Sequence, residues 1–139
     1  MNNENCIFCK IISGKIPADF VYSDAEVVAF LDIAPTTKGH TLVVARNHSE
    51  NLLDAPEKDI CAMMSAVKKI GAAAVKGLGA NGFNLHVNNG KGAGQVVPHI
   101  HFHIIPRYEN DGLHLWPQGK YAEGESARYS EKIKKALCK

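Results

Sequence analysis

No unbroken apolar run in the 139 residues exceeds five, as in Val27–Leu31, far short of the ~18 consecutive apolar residues that a membrane-spanning helix needs. Neither charge dominates. Sixteen Lys and Arg against 14 Asp and Glu leave a formal net charge of +2 and a pI near 8.3, too mild a balance to point to nucleic acid or a membrane surface as a partner. The opening Met1-Asn2-Asn3-Glu4-Asn5 lacks a basic stretch followed by an apolar one, so a secretory signal is not expected and the cytoplasm is the expected location. Cysteine is sparse as well. Its four positions, Cys6, Cys9, Cys61 and Cys138, imply no disulfide framework in a reducing compartment, where Cys-x-x-Cys reads as metal or redox chemistry instead. Cys61 and Cys138 fall in helical patterns and read as buried or incidental free thiols. Linkers, repeats and low-complexity segments are missing too, which leaves one domain over 1–139. With 45% hydrophobic and 22% charged residues, the composition is that of a soluble globular protein and excludes wholesale disorder.

What is present alternates between two periodicities. Ile7-Phe8-Cys9-Lys10-Ile11-Ile12 carries apolar residues at helical spacing, with Gly14 placed to cap it and Pro17 to stop it. Three strand-like runs follow, Phe20-Val21-Tyr22, Val27 to Leu31 and Thr41 to Ala45. Asp54, with Glu57 three residues on, reads as a capping-box start to a long helix. Ile60, Met63, Met64, Val67, Ile70, Ala74 and Leu78 hold its apolar stripe until Gly77 and Gly79 end it. After Gly82 the period drops to two, with Phe83, Leu85 and Val87 on one face and Asn84, His86 and Asn88 on the other. A glycine-rich loop over 90–95 leads to a fifth strand, His99 to Ile105, halted by Pro106, and the tail ends in a helix over about 127–137. This order predicts an α+β fold: a five-stranded antiparallel sheet, covered on one face, with one long helix and short flanking helices. A ligand is expected at the loop between the fourth and fifth strands.

The most informative segment is His99-Ile100-His101-Phe102-His103-Ile104-Ile105. Alternate side chains of a strand share a face, so three imidazoles line one side, roughly 6.5–7 Å apart, while Ile100, Phe102 and Ile104 enter the core. A sheet surface would be better served by β-branched or aromatic residues. Three readings stand: a polar sheet face, a metal site using His-x-His, and catalysis with the middle imidazole as nucleophile between orienting neighbours. The glycines of 90–94 let backbone N–H groups approach an anion closely, which favours a phosphate beside His101. Cys6-x-x-Cys9 is open in the same way. A redox pair belongs after a core strand, opening a helix, and only five residues precede this one. Two thiolates at this spacing are half of a structural zinc site, whose other half must be two nitrogens from elsewhere; two free cysteines in an N-terminal turn are the plain alternative. His86 and His114 read as structural or surface residues.

The stretch from Cys6 to Arg107 resembles the histidine triad (HIT) superfamily, specifically its small Hint-like bacterial members. The residues that carry the resemblance are Cys6-Ile7-Phe8-Cys9-Lys10-Ile11-Ile12, Phe30-Leu31-Asp32-Ile33, Gly39-His40-Thr41-Leu42-Val43-Val44, Asn88-Asn89-Gly90, Gly94-Gln95 and the triad itself. The resemblance implies a homodimer whose sheet runs across both subunits. It also implies an enzyme that releases purine nucleoside 5′-monophosphates, from phosphoramidates or dinucleoside polyphosphates, through a nucleotide carried on the middle histidine. Residue by residue, it implies His101 as nucleophile, His103 as the phosphate contact that helps protonate a departing amine, and His40 as the neighbour that fixes a tautomer. Asp32 would accept the ribose hydroxyls, Ile33 would pack on the base, and Asn88, Gly94 and Gln95 would hold phosphate and ribose. Similar proteins complete the Cys-x-x-Cys site with a histidine after the third strand and the first histidine of the triad, which implies structural zinc on Cys6, Cys9, His48 and His99. The chain departs from the pattern at Val96, where Hint-like proteins often carry a serine, and in a longer segment before Trp116-Pro117. The family core is therefore expected over about 6–107 and a variable tail over 108–139. A purine nucleotide hydrolase is the expectation. The alternatives are a nucleotide-binding or protein-interaction module with vestigial turnover, which Val96 favours, and a metalloenzyme with all three triad histidines on one catalytic ion.

Overall fold

Val27–Leu31 and Thr41–Ala45 are apolar at nearly every position rather than at alternate ones, and the architecture gives the reason. The computed structural model describes residues 3–137; Cys138, expected as a free thiol in a helix, lies outside them. The elements run α1 (Ile7–Ile12), β1 (Phe20–Ser23), β2 (Val27–Leu31), β3 (Thr41–Ala45), α2 (Glu57–Leu78), β4 (Gly82–His86), a short 3-10 turn (Lys91–Ala93), β5 (His101–Arg107) and α3 (Glu125–Leu137). The strands form one sheet in the order β1-β2-β3-β5-β4, and every pairing is antiparallel. One face packs Val27, Ala29, Val43, Ala45, Ile100, Phe102 and Ile104 against Met63, Ala66, Val67 and Ile70 of α2. The expectation of a sheet covered on one face only is corrected here. On the opposite face Val28, Phe30, Leu42 and Val44 meet Cys6, Phe8, Cys9 and Ile11, contributed by α1 and the turn before it. β2 and β3 are therefore buried on both sides, and each fully buried aliphatic side chain contributes about 1.5–3 kcal/mol relative to exposure. Among the described residues no helix is long and apolar enough to cross a membrane.

Four boundaries differ from the expectation, the first three for a local reason. The capping box at Asp54 is not used: α2 starts at Glu57 with Pro56 as its N-cap and no side-chain cap. Proline disfavours helical geometry in the residue before it, so the helix cannot begin earlier, and Glu57 and Asp59 complement the positive end of the helix instead. β5 begins at His101, not His99, because the His99 N–H bonds to the Val97 carbonyl at 2.9 Å and turns the chain before the ladder starts. The strand then continues past Pro106, which pairs with Phe83 of β4. The β3 ladder has already ended at the Thr41–Ile104 pair, and on that side the Pro106 carbonyl accepts from Thr37 Oγ1 at 2.6 Å. The missing N–H thus interrupts no ladder bond. α3 begins two residues earlier than expected, at Glu125, with Tyr129, Ile133 and Leu137 exposed.

Insertion of β5 between β3 and β4 gives the histidine strand a partner on each side, and the turn before β3 brings His40 beside His103. That turn depends on Gly39, whose φ of +90° is in the left-handed region and where an added Cβ would collide with Leu78 Cδ1. Gly39→Ala should cost about 1–3 kcal/mol through backbone strain, read as a lower urea midpoint at unchanged slope. A midpoint equal to that of the parent protein would show that the turn is not constrained.

Candidate active site and metal centre

Alternation along β5 and the two residues before it puts the triad rings on one side and the apolar residues on the other. Ile100, Phe102 and Ile104 enter the α2-side core, while His99 and His101 both meet the edge of Phe8 on the α1 side, at ring-centroid distances of 6.0 and 5.0 Å. His101 and His103 lie 4.8 Å apart by centroid, and His40 lies 5.2 Å from His103. The imidazoles nevertheless divide into two groups. His99 turns towards the cysteines, and His101, His103 and His40 form a second cluster beside Asp32.

Backbone groups fix the tautomers of that second cluster. His101 Nδ1 lies 2.6 Å from the His99 carbonyl, so Nδ1 carries the hydrogen and Nε2 keeps its lone pair. The Thr36 N–H donates to His40 Nδ1 at 3.1 Å, which places the His40 hydrogen on Nε2. From there it is donated to His103 Nδ1 at 2.9 Å, and His103 in turn must carry its hydrogen on Nε2. That atom is buried and lacks a partner among the described residues, which leaves it free to donate to an acceptor from outside the protein. All three rings are neutral near pH 7. Burial is the main cause in each case, lowering His103 to about 4 and shifting His101 and His40 down, against the opposing pull of Asp32. A bare nitrogen on His101 and a donor N–H on His103 therefore stand side by side. The Asp32, His40 and His103 atoms lie within 4.8 Å of one another, but His40 presents a hydrogen where a metal needs a lone pair. With His99 facing elsewhere, the three triad rings do not converge on one ion.

The first group is built differently. His99 Nε2–H donates to the Ala45 carbonyl at 2.7 Å, leaving Nδ1 unprotonated, and burial holds the ring near a pKa of about 4. Nδ1 lies 3.4 Å from Cys6 Sγ, 3.6 Å from Cys9 Sγ and 3.2 Å from His48 Nδ1, and Cys9 Sγ lies 3.5 Å from His48 Nδ1. Zinc–ligand lengths of about 2.3 Å to sulfur and 2.0–2.1 Å to nitrogen give tetrahedral edges of about 3.6 Å for S···N and about 3.3 Å for N···N. The donor set fits a tetrahedral ion. Burial, with Cys9 alongside, raises the Cys6 thiol, so a cation is what would favour its thiolate.

The remaining expected residues vary in what they present. Asp32 is half-buried, with Oδ1 accepting from the Ala34 N–H at 2.9 Å and Oδ2 3.8 Å from His40 Nε2. Ile33 stands fully exposed at the rim. Asn88 reaches the Gly94 carbonyl through Nδ2 at 3.4 Å. The Gln95 amide is turned inward: Oε1 accepts from the Gly90 N–H, and Nε2 donates to the Glu50 and Val97 carbonyls. Val96 is exposed on the wall that also contains Cys6 and His48. His86, which reads in the sequence as a structural or surface residue, pairs across the sheet with His103. With His114, Asn84, Arg107 and Trp116 it lines a cavity of about 320 Å³. The alternation of Asn84, His86 and Asn88 was the signal for it. Cys61 is a free, exposed thiol.

Comparison with known proteins agrees with this geometry. The HIT domain family matches residues 13–110. An uncharacterized HIT-like protein of Methanocaldococcus jannaschii is 55% identical over 107 residues, covering 77% of this chain and 82% of that one. A Schizosaccharomyces pombe protein named adenosine 5′-monophosphoramidase is 39% identical over 131 residues, 93% and 96% of the two chains. The crystal structure of a Zn-bound histidine triad family protein from Mycobacterium smegmatis superposes with a TM-score of 0.77 at 35% identity, over 97% and 98% of the chains.

His103 takes up its proton near pH 4 when folded, against an ordinary value of 6.5, so between those values the unfolded chain binds the proton first. Stability should be full above about pH 6.5 and fall on acidification towards pH 4. Urea midpoints near neutrality and at about pH 5 test this, and His103→Asn should show a shallower fall. Identical midpoints at the two pH values would contradict a ring held neutral by burial.

Proposed function

The chain belongs to the HIT family, and on that premise we propose that it is a hydrolase of purine nucleoside 5′-phosphoramidates or related nucleotidyl conjugates, working through a nucleotide carried on His101. The observation that carries this reading is the pair of opposite tautomers on adjacent rings. His101 Nε2 attacks the α-phosphorus, forming a P–N bond as the bond to the leaving group breaks. The positive charge that develops on the ring is stabilised by its Nδ1–H on the His99 carbonyl. The His103 Nε2–H donates a hydrogen bond to a phosphoryl oxygen as charge builds there, with His40 behind it, and the departing amine takes its proton from solvent. Water then displaces the imidazole, releasing the monophosphate. Asp32 accepts the ribose hydroxyls, Ile33 packs on the base, and Asn88 and the Gly94 loop hold the phosphate. The relative named as an adenosine 5′-monophosphoramidase supports the substrate class.

Two further parts belong to this reading. Zinc on Cys6, Cys9, His48 and His99 is structural: when bound it would cross-link the N-terminal turn to the segment after β3 and the turn before β5, and no chemical step passes through it. A homodimer extends the sheet, supported by the open edge of β4 and the exposed Met64, Phe83 and Leu85 beside it, since an uncovered apolar strand edge pairs readily with another.

His101→Ala should lose several orders of magnitude in kcat on an adenosine phosphoramidate while still binding AMP. Wild-type protein quenched during turnover should gain one nucleotide on the His101 peptide. Near-normal turnover by the variant, or the label on His103, would remove His101 as nucleophile; tight AMP binding by the wild type with no monophosphate released would favour the binding-module alternative. Purified protein should carry close to one zinc per chain, and Cys9→Ser should lower both metal content and Tm. Full stability of a metal-free preparation would count against the zinc assignment.

A further inference from the structure

Gln95 does not offer its side chain to a ligand. Both N–H donors of its amide are used within the protein, to the Glu50 carbonyl at 2.7 Å and the Val97 carbonyl at 3.0 Å, and its Oε1 accepts the Gly90 N–H at 2.9 Å. Glu50 is two residues past His48, Val97 is two residues before His99, and Gly90 opens the glycine-rich loop. Two more bonds join the same segments: the Leu52 N–H to Asn89 Oδ1 at 2.9 Å and the Ile100 N–H to the Ser49 carbonyl at 2.8 Å. The loop that delivers His48 and the loop that leads to the triad are thereby one hydrogen-bonded unit. Metal donors stand at one end of it and the anion-facing glycines at the other, with Gln95 between them.

We propose that Gln95 is a positioning residue that couples the Cys6, Cys9, His48 and His99 centre to the glycine-rich loop, so that a metal ion and a nucleotide each tighten the binding of the other. This rests on the zinc and nucleotide readings above; what is added is the coupling. An ion that fixes His48 and His99 also fixes the Glu50 and Val97 carbonyls, which hold the Gln95 amide, which holds Gly90. Without the ion, 48–52 gains freedom and a glycine-rich loop loses its brace, so the loop must be ordered when nucleotide binds and affinity falls. Linkage makes the effect reciprocal: the factor by which zinc strengthens AMP binding equals the factor by which AMP strengthens zinc binding. A Gln95 that merely touched nucleotide would change AMP affinity equally in both metal states. One that merely supported the fold would lower Tm and leave that factor alone.

The test measures zinc affinity of the holoprotein by competition with a chelator, with and without saturating AMP, in wild type, Gln95→Ala and Gln95→Glu. AMP should raise wild-type zinc affinity by roughly 5-fold or more, the lower end of ordinary coupling between sites. In Gln95→Ala the factor should fall towards one, with zinc stoichiometry retained. Gln95→Glu keeps an acceptor for Gly90 but sets a carboxylate against the Glu50 and Val97 carbonyls. It should lose the coupling as well, and it carries the test if the alanine variant does not fold. Zinc affinity of the wild type that is unchanged by AMP, with AMP shown to bind, overturns the proposal. So does a full wild-type factor in either folded variant. Failure of the zinc-loaded wild type to bind AMP at all is a different result: it overturns the nucleotide reading, and the coupling falls with it.

Discussion

The hydrogen bond from His101 Nδ1 to the carbonyl of His99 is the constraint on which the rest of the site turns. It needs the chain to bend at 97–99, which the His99 N–H to Val97 contact secures, and it needs His99 itself to be immobile. That immobility comes from a second backbone carbonyl, Ala45, which takes the His99 Nε2–H and leaves the other ring nitrogen facing two thiols and His48. One residue thus has its ring among the candidate metal ligands and its main chain on the ring proposed as nucleophile. Neither end can be adjusted without the other.

Such a site requires a rigid frame. The central pair β3 and β5 supplies it, because β3 is buried throughout and β5 at most of its positions. Two apolar clusters, one under α2 and one under α1, press on the sheet from opposite sides. Burial also sets the chemistry: the desolvation that packs His101 and His103 keeps them neutral, and a neutral imidazole is what a nucleophile at phosphorus must be.

How much of this was legible depended on whether the information was local. The faces of β5 followed from period two, and the buried pair β2 and β3 from unbroken apolar runs. The association of His48 with Cys9 bridges 39 positions, and no periodicity carries that; only resemblance to a family supplied it. Pro56 overrode a capping box because a missing backbone degree of freedom outweighs a favourable side chain. The internal bonding of Gln95 is illegible for a different reason. An amide beside a glycine loop can face inward or outward with equal ease, and which way it turns is decided by carbonyls at Glu50 and Val97 that the sequence does not place. His86 reads as a structural or surface residue because a lone histidine on a strand says nothing more until its cross-strand neighbour, His103, is known.

The buried Nε2–H of His103, without a partner among the described residues, has a bearing on how this protein can change over generations. A buried donor with nothing to bond is a standing destabilisation, and an apolar residue of similar shape in its place would relieve it. Drift at this position therefore runs downhill in folding energy and uphill in function, the usual trade-off where a site is kept ready for a ligand. On the function proposed above, a protein of this fold that no longer needs turnover should lose His103 before it loses the sheet that holds it, and should be the sturdier for it.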